Sequence, residues 1–235
     1  MEVFIAVAKV KKYATPSSGD TVEVVERPNG GVSVVLADGQ SSGRGAKSIS
    51  TLVVRKVISL LAEGVRDGAA ARAASDYLYT ERNGKVSSTL NILSVDKQTS
   101  TLVITRNNPV PALIAYNDEI KILAEESLPV GLYRGTRPII NEVALEPGLT
   151  ALVYTDGLIH AGSRDGQSLD IVTHVQSWLD DEDPSPQLIA DDLLSHAVRL
   201  DQGRPVDDIS VVILHVSGST GDSVRRMSVR LPLQD

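Results

Sequence analysis

A chain of 235 residues with 42 % hydrophobic and 23 % charged residues is long enough to fold and bury a core; at 3 % aromatic, that core is built from Val, Ile, Leu and Ala. The formal net charge of −7 argues against a general nucleic-acid binder, which presents a basic face. The absence of cysteine excludes disulfides, thiolate metal sites and a thiol nucleophile.

The first residues, Glu2 to Tyr13, are rich in β-branched and apolar side chains and read as a strand; no basic region precedes them, so they are not a signal peptide. Thr21 to Glu26 alternates as a second strand. Pro28-Asn29-Gly30-Gly31 is a hairpin turn leading into an apolar strand, Val32 to Ala37, that ends at Asp38-Gly39. After the polar loop Gln40 to Gly45, the spacing of Ile49, Leu52, Val53, Val57, Leu60 and Leu61 predicts a helix with Gly64 at its C-terminal end. Asp67 is placed to cap a second helix with Ala70, Ala73, Ala74, Tyr77 and Leu78 on one face. Short strands are expected over 87–95, 100–105, 111–116, 119–124 and 138–144, then a buried strand from Leu149 to Thr155 ending at Asp156-Gly157. Helices over 169–179 and from Ser185-Pro186 to Leu200 precede a closing strand, 208–216. Strands and helices do not alternate one for one, so mostly antiparallel sheets covered by helices fit better than a doubly wound parallel sheet. No apolar run approaches the ~20 residues of a membrane span. The expectation is a soluble cytoplasmic protein with no membrane or nucleic-acid partner.

Four acidic positions lie at strand ends or turns: Asp20 in Ser18-Gly19-Asp20, Asp38 before Gly39, Asp156 before Gly157, and Asp207 in Asp207-Asp208-Ile209-Ser210. Hard cations such as Mg²⁺ and Mn²⁺ prefer oxygen ligands. Carboxylates gathered at neighbouring strand ends repel one another unless cations neutralise them. A single Asp-Gly is most simply a turn, as Asp165-Gly166 in its polar loop illustrates. The joint pattern of two apolar strands ending in Asp-Gly, with Gly-Asp and Asp-Asp beside other strands, points to a metal site.

The chain resembles the metal-dependent protein phosphatases of the 2C type, in the bacterial subgroup that includes stage II sporulation protein E. The resemblance runs over about residues 1–216. It rests on Ser18-Gly19-Asp20, VVLADGQSSGRGA (34–46), STLNILSVDKQTSTLVITRNNPVPALI (88–114), LPVGL (128–132), ALVYTDGLIHA (151–161) and DDISVVILHV (207–216) in that order. It implies an α+β fold, a four-layer α-β-β-α sandwich of two mostly antiparallel sheets flanked by helices. Residues 1–216 would form the catalytic domain and 217–235 a tail or extra edge strand. It implies two Mn²⁺ or Mg²⁺ ions: Asp38 bridging both, the Gly39 carbonyl and Asp20 as further ligands (Asp20 directly or through water), and Asp156 and Asp207 completing the other site, with Asp38 and Asp156 the catalytic pair. Asp208 is the neighbour, not the ligand. Two metals about 3.5–4 Å apart lower the pKa of a bridging water and clamp phosphoryl oxygens, so the resulting hydroxide attacks a phosphoserine or phosphothreonine of a protein substrate. A small regulator such as an anti-sigma-factor antagonist is the implied substrate type, with no fused sensor domain expected; the oligomeric state stays open.

Three features depart from the family pattern. Ser42-Gly43-Arg44-Gly45 stands where many bacterial members carry Gly-His-Gly. No clear phosphate-holding arginine is present, leaving Arg44, Lys11 and Lys12 as candidates, each readable as a solvated surface charge. No insertion is long enough for the optional flap. His160 is a candidate general acid, or a surface histidine. Among rival readings, the loop 39–48 lacks the lysine directly after its last glycine that a nucleotide-binding loop needs. Asp181 and Asp183 follow a polar helix and not a buried strand, and no Gly-x-Ser-x-Gly elbow is present. The remaining alternative is a non-catalytic member of the same fold that binds a phosphoprotein.

Overall fold

A computed structural model of the protein describes residues 1–179, 185–218 and 221–233. The first strand, β1 (Glu2–Val10), is followed by the hairpin β2 (Asp20–Glu26) and β3 (Val32–Gly39) and by helices α1 (Gly43–Ala62) and α2 (Asp67–Arg82). Strands β4 (Ser88–Asp96), β5 (Thr101–Asn107), β6 (Ala112–Tyr116), β7 (Glu119–Leu123), β8 (Ile139–Ala144) and β9 (Thr150–Tyr154) come next. Helices α3 (Gly157–His160), α4 (Ile171–Leu179) and α5 (Pro186–Leu200) precede β10 (Ile209–Ser217). The two sheets run β2-β3-β4-β5-β8 and β1-β10-β9-β6-β7, with antiparallel neighbours throughout.

The layering follows from strands that are apolar on both faces. Along β3, Val35 and Ala37 pack on α1 and α2, whereas Val34 and Leu36 turn the other way and meet Val212 and Leu214 of the second sheet. Along β10, Val211 and Ile213 face Leu193 and Ala197 of α5. Three separate apolar layers therefore fill three interfaces: helices on sheet, sheet on sheet, and sheet on helices. Each fully buried Val, Leu or Ile contributes roughly 1.5–3 kcal/mol. This is the expected α-β-β-α sandwich.

Local expectations were met at the turns. Gly30 sits at φ +84° in the β2–β3 hairpin. Gly64 sits at φ +85°, just past the last turn of α1, with its N–H donating to the Leu61 carbonyl. Asp67 differs: Arg66 holds the cap position of α2, and Asp67 is the first helical residue. Its carboxylate is drawn instead to Arg27, at 2.7 Å. The buried face of α2 is Ala70, Ala71, Ala74, Ser75 and Leu78, which leaves Tyr77 exposed beside Lys56. Residues 221–233 form neither strand nor helix, and Arg225 ties the tail to the β2–β3 hairpin through Glu26 at 2.7 Å and the Gly30 carbonyl at 3.0 Å. Asp181 and Asp183 lie outside the described residues. No helix among the described residues is long and apolar enough to cross a membrane.

Candidate metal centre

The hairpin register makes Asp20 and Asp38 direct partners across β2 and β3, so the two carboxylates leave the same face at the same end of the first sheet. In the second sheet, β9 and β10 pair so that Asp156, following β9, and Asp207, preceding β10, come from adjacent strand ends. The two ends meet through Asp20. Its Oδ2 accepts hydrogen bonds from Ser210 Oγ at 2.6 Å and Thr155 Oγ1 at 3.1 Å, both from the second sheet. Thr155 Oγ1 in turn accepts the Ser210 backbone N–H at 2.9 Å. All four aspartates therefore collect at one end of the sandwich.

Electrostatics records the crowding. Asp38 is pushed up to about 9, first by burial and then by the charges of Asp20, Asp156 and Asp207. Burial also raises Asp20, against the opposing pull of the Ser210 hydrogen bond and Lys9. Asp156 is raised by burial and by Asp207. The other oxygen of Asp20, Oδ1, is buried without a hydrogen-bond partner. Such a set of hard oxygen donors, one of them orphaned, fits Mg²⁺ or Mn²⁺. Among the described residues, no three acidic or histidine side chains close round a single point as a full chelate.

The two Asp-Gly pairs have a steric cause different from the sharp turn that the sequence suggests. Neither Gly39 nor Gly157 has a positive φ. A Cβ on Gly39 would lie 2.0 Å from the Ala46 carbonyl oxygen of α1, and one on Gly157 would lie 2.1 Å from the Asp208 carbonyl oxygen. Glycine is required because backbone from another segment, α1 at Gly39 and the approach to β10 at Gly157, presses directly on the strand end that carries the aspartate. Gly166, by contrast, is a turn glycine at φ +67°.

The neighbours Asp207 and Asp208 separate cleanly. Asp208 is buried, and its two oxygens accept the backbone N–H groups of Lys12 and Gly19, at 2.9 and 2.8 Å. It fastens the segment between β1 and β2, and so places Asp20. Asp207 is partly exposed, with Lys12 Nζ at 3.9 Å. Of the basic candidates, Lys12 thus reaches the cluster, while Arg44 is exposed on α1. His160 stands at the rim, its Nδ1 4.0 Å from Asp156 Oδ2.

Two lysines escape sequence reasoning. Lys9 Nζ and Lys47 Nζ both donate to the Asp20 carbonyl, each at 2.8 Å. Burial lowers the pKa of both, partly offset by Asp20. They bring positive charge behind the carboxylates and anchor β1 and α1 to the same backbone oxygen. The available signal was position: Lys47 interrupts a helical stretch otherwise buried at Ala46, Ser50 and Val54, and Lys9 stands inside an apolar strand.

Comparison with known proteins places the fold in a family. The family model described as stage II sporulation protein E matches residues 28–217. Stage II sporulation protein E of Bacillus subtilis (strain 168) is 22 % identical over 204 residues, covering 86 % of this chain and 24 % of the relative, so the chain spans about a quarter of that protein's length. The PP2C phosphatase domain of SpoIIE from Bacillus subtilis, solved with a fragment of its regulatory domain, superposes with a TM-score of 0.78 at 21 % identity, over 92 % of this chain and 64 % of that one. The catalytic domain of the serine/threonine phosphatase PstP, in complex with two manganese ions, superposes with a TM-score of 0.70 at 16 % identity, over 92 % and 98 % of the two chains. With the PP2C phosphatase fold and a family model matched along most of its length, the chain belongs to the stage II sporulation protein E family.

Proposed function

We propose that this chain is a metal-dependent phosphatase that removes phosphate from phosphoserine or phosphothreonine on a regulatory protein in the cytoplasm. Residues 1–216 act as the catalytic unit, and 217–235 are a tail. The observation that carries the reading is the meeting of Asp20 and Asp38 from one sheet with Asp156 and Asp207 from the other. Asp38, which feels the charges of the other three, is the residue that would serve both ions. Asp20 and the Gly39 carbonyl would hold one ion with it, and Asp156 and Asp207 the other. The ions, when bound, supply water activation and charge neutralisation on the phosphoryl group.

The chain's own residues do the rest. Ser210 and Thr155 fix the Asp20 carboxylate in one orientation. Asp208 holds the backbone that delivers it. Lys9 and Lys47 favour an anionic ligand near the cluster by their charge, and Lys12 beside Asp207 is placed to meet a phosphoryl oxygen. His160, at the rim, is placed to give a proton to the leaving serine oxygen. The substrate class, a small phosphoserine regulator of the kind an anti-sigma-factor antagonist represents, rests on family likeness. Manganese-dependent phosphate release from a small aryl phosphate tests the reading. Activity in the wild type and its loss in folded Asp38→Ala supports it; equal release by both overturns the mechanism, and inactivity of the wild type favours a phosphoprotein-binding role.

A further inference from the structure

Between the segment that follows Asp156 and the segment that leads into Asp207 lies an open pocket of about 350 Å³, lined by Arg164, Asp165, Leu200, Asp201, Gln202 and Arg204. Its walls are the two loops that carry the cluster's second half: the segment running on from Asp156 through the short 3₁₀ turn Ser163–Asp165, and the segment that leads from α5 into Asp207. Hydrogen bonds pin these loops together. Asp201 Oδ1 accepts the Gly162 N–H and its Oδ2 the Val206 N–H, each at 2.9 Å, and Gln202 Nε2 donates to Asp165 Oδ2 at 2.8 Å. Both pocket carboxylates are therefore already engaged.

The two guanidiniums are not engaged in the same way. Arg164 has no hydrogen-bonding or ionic partner among the described residues, and Arg204 lies over the ring of Tyr13, 5.3 Å from its centroid. Stacking leaves the guanidinium edge free to donate. Tyr13 is itself held in place, its N–H donating to the Pro205 carbonyl at 2.9 Å, while the preceding Lys12 lies by Asp207. Arg204, three positions before Asp207, therefore stacks on the residue that follows Lys12, on a chain whose net charge is −7.

We propose that this pocket is a substrate subsite: Arg164 and Arg204 receive an anionic group, a carboxylate or a second phosphate, borne by the phosphoprotein near its phosphoserine. The inference rests on the phosphatase reading and adds to it a preference for acidic flanking sequence. Guanidinium forks match carboxylate and phosphate oxygens in bidentate geometry, and exposed pairs of this kind contribute modestly.

The test compares kcat/KM for four phosphoserine peptides, flanked by neutral residues, by aspartates, by a second phosphoserine or by lysines. The wild type is expected to prefer the anionic flanks over the neutral one by about three- to tenfold. The larger gain identifies carboxylate or phosphate as the fitting group. Arg164→Ser/Arg204→Ser is expected to abolish the preference, and Arg164→Glu/Arg204→Glu to transfer it to the lysine-flanked peptide. A second arm needs no turnover: an unphosphorylated aspartate-rich peptide should shift the NMR amide signals of Arg164, Gln202 and Arg204. Turnover without flank preference overturns the subsite and spares the phosphatase reading. Amide shifts at these residues without turnover of any peptide keep the anion pocket and overturn the phosphatase reading. Absence of both the shifts and the preference overturns the subsite.

Discussion

Asp20 and Asp38 face each other at the ends of β2 and β3, and the fold keeps them together although burial and mutual charge push Asp38 up to about 9. A carboxyl raised above its unfolded value of about 3.9 holds its proton more tightly in the folded state. The unfolded chain loses that proton above about pH 4 and the folded chain only near 9, so the unfolded state binds fewer protons between these limits. Metal-free protein should therefore lose stability as pH rises through that window, and the raised Asp20 and Asp156 act with the same sign. In EDTA, the Tm at pH 8 should lie a few degrees below that at pH 5. Asp38→Asn should flatten the dependence, and Mn²⁺ should reverse it in the wild type. A Tm that rises with pH in EDTA would contradict the cluster's electrostatics.

The hydroxyl of Ser210 joins the two sheets through Asp20. Removing a buried hydrogen bond to a charged group costs roughly 1.5–3 kcal/mol. Ser210→Ala should lower unfolding free energy by about that amount in denaturant titration and weaken Mn²⁺ binding. In a double-mutant cycle with Asp20→Asn the two changes should be strongly non-additive. Additivity would mean that the bridge contributes little.

Asp207 and Asp208 should part in their effects despite adjacency. Asp208→Ala strands the N–H groups of Lys12 and Gly19, one of them buried, and should destabilise the fold by about 2–4 kcal/mol. Asp207→Ala removes a partly exposed side chain and should change stability by less than about 0.5 kcal/mol while weakening manganese binding. Thermal unfolding paired with metal titration separates them, and the reverse pattern would exchange their roles.

Gly39→Ala and Gly157→Ala should each be severely disruptive, because the new methyl would meet a backbone carbonyl at 2.0 or 2.1 Å. Gly166→Ala, with open space around it, should cost only the strain of its positive φ, about 1 kcal/mol. Soluble yield and Tm of the three variants check the ranking.

Much of this architecture was legible in the chain. Apolar runs such as Val32 to Ala37, set between Asn29-Gly30 and Asp38-Gly39, located the strands because a residue buried on both faces leaves no polar alternation to misread. Asp38 and Asp156 stood out because each ends such a run. Other features depend on contacts between distant segments. Asp67 reads as a cap until Arg27, far off in sequence, draws it away. Helix α3 is too short to give a periodic signal. Lys9 and Lys47 carry no local sign of their role, since nothing nearby in sequence indicates that both ammonium groups converge on one carbonyl. Asp207 and Asp208 are chemically identical in sequence and differ only in what they touch.

The most direct measurement is a manganese-binding isotherm by calorimetry on the intact chain, run beside Asp38→Asn and Asp156→Asn. The account predicts about two ions per wild-type chain, with both variants losing at least one of them while remaining folded. Wild-type stoichiometry retained in both variants, or no manganese bound by the wild type, would contradict it.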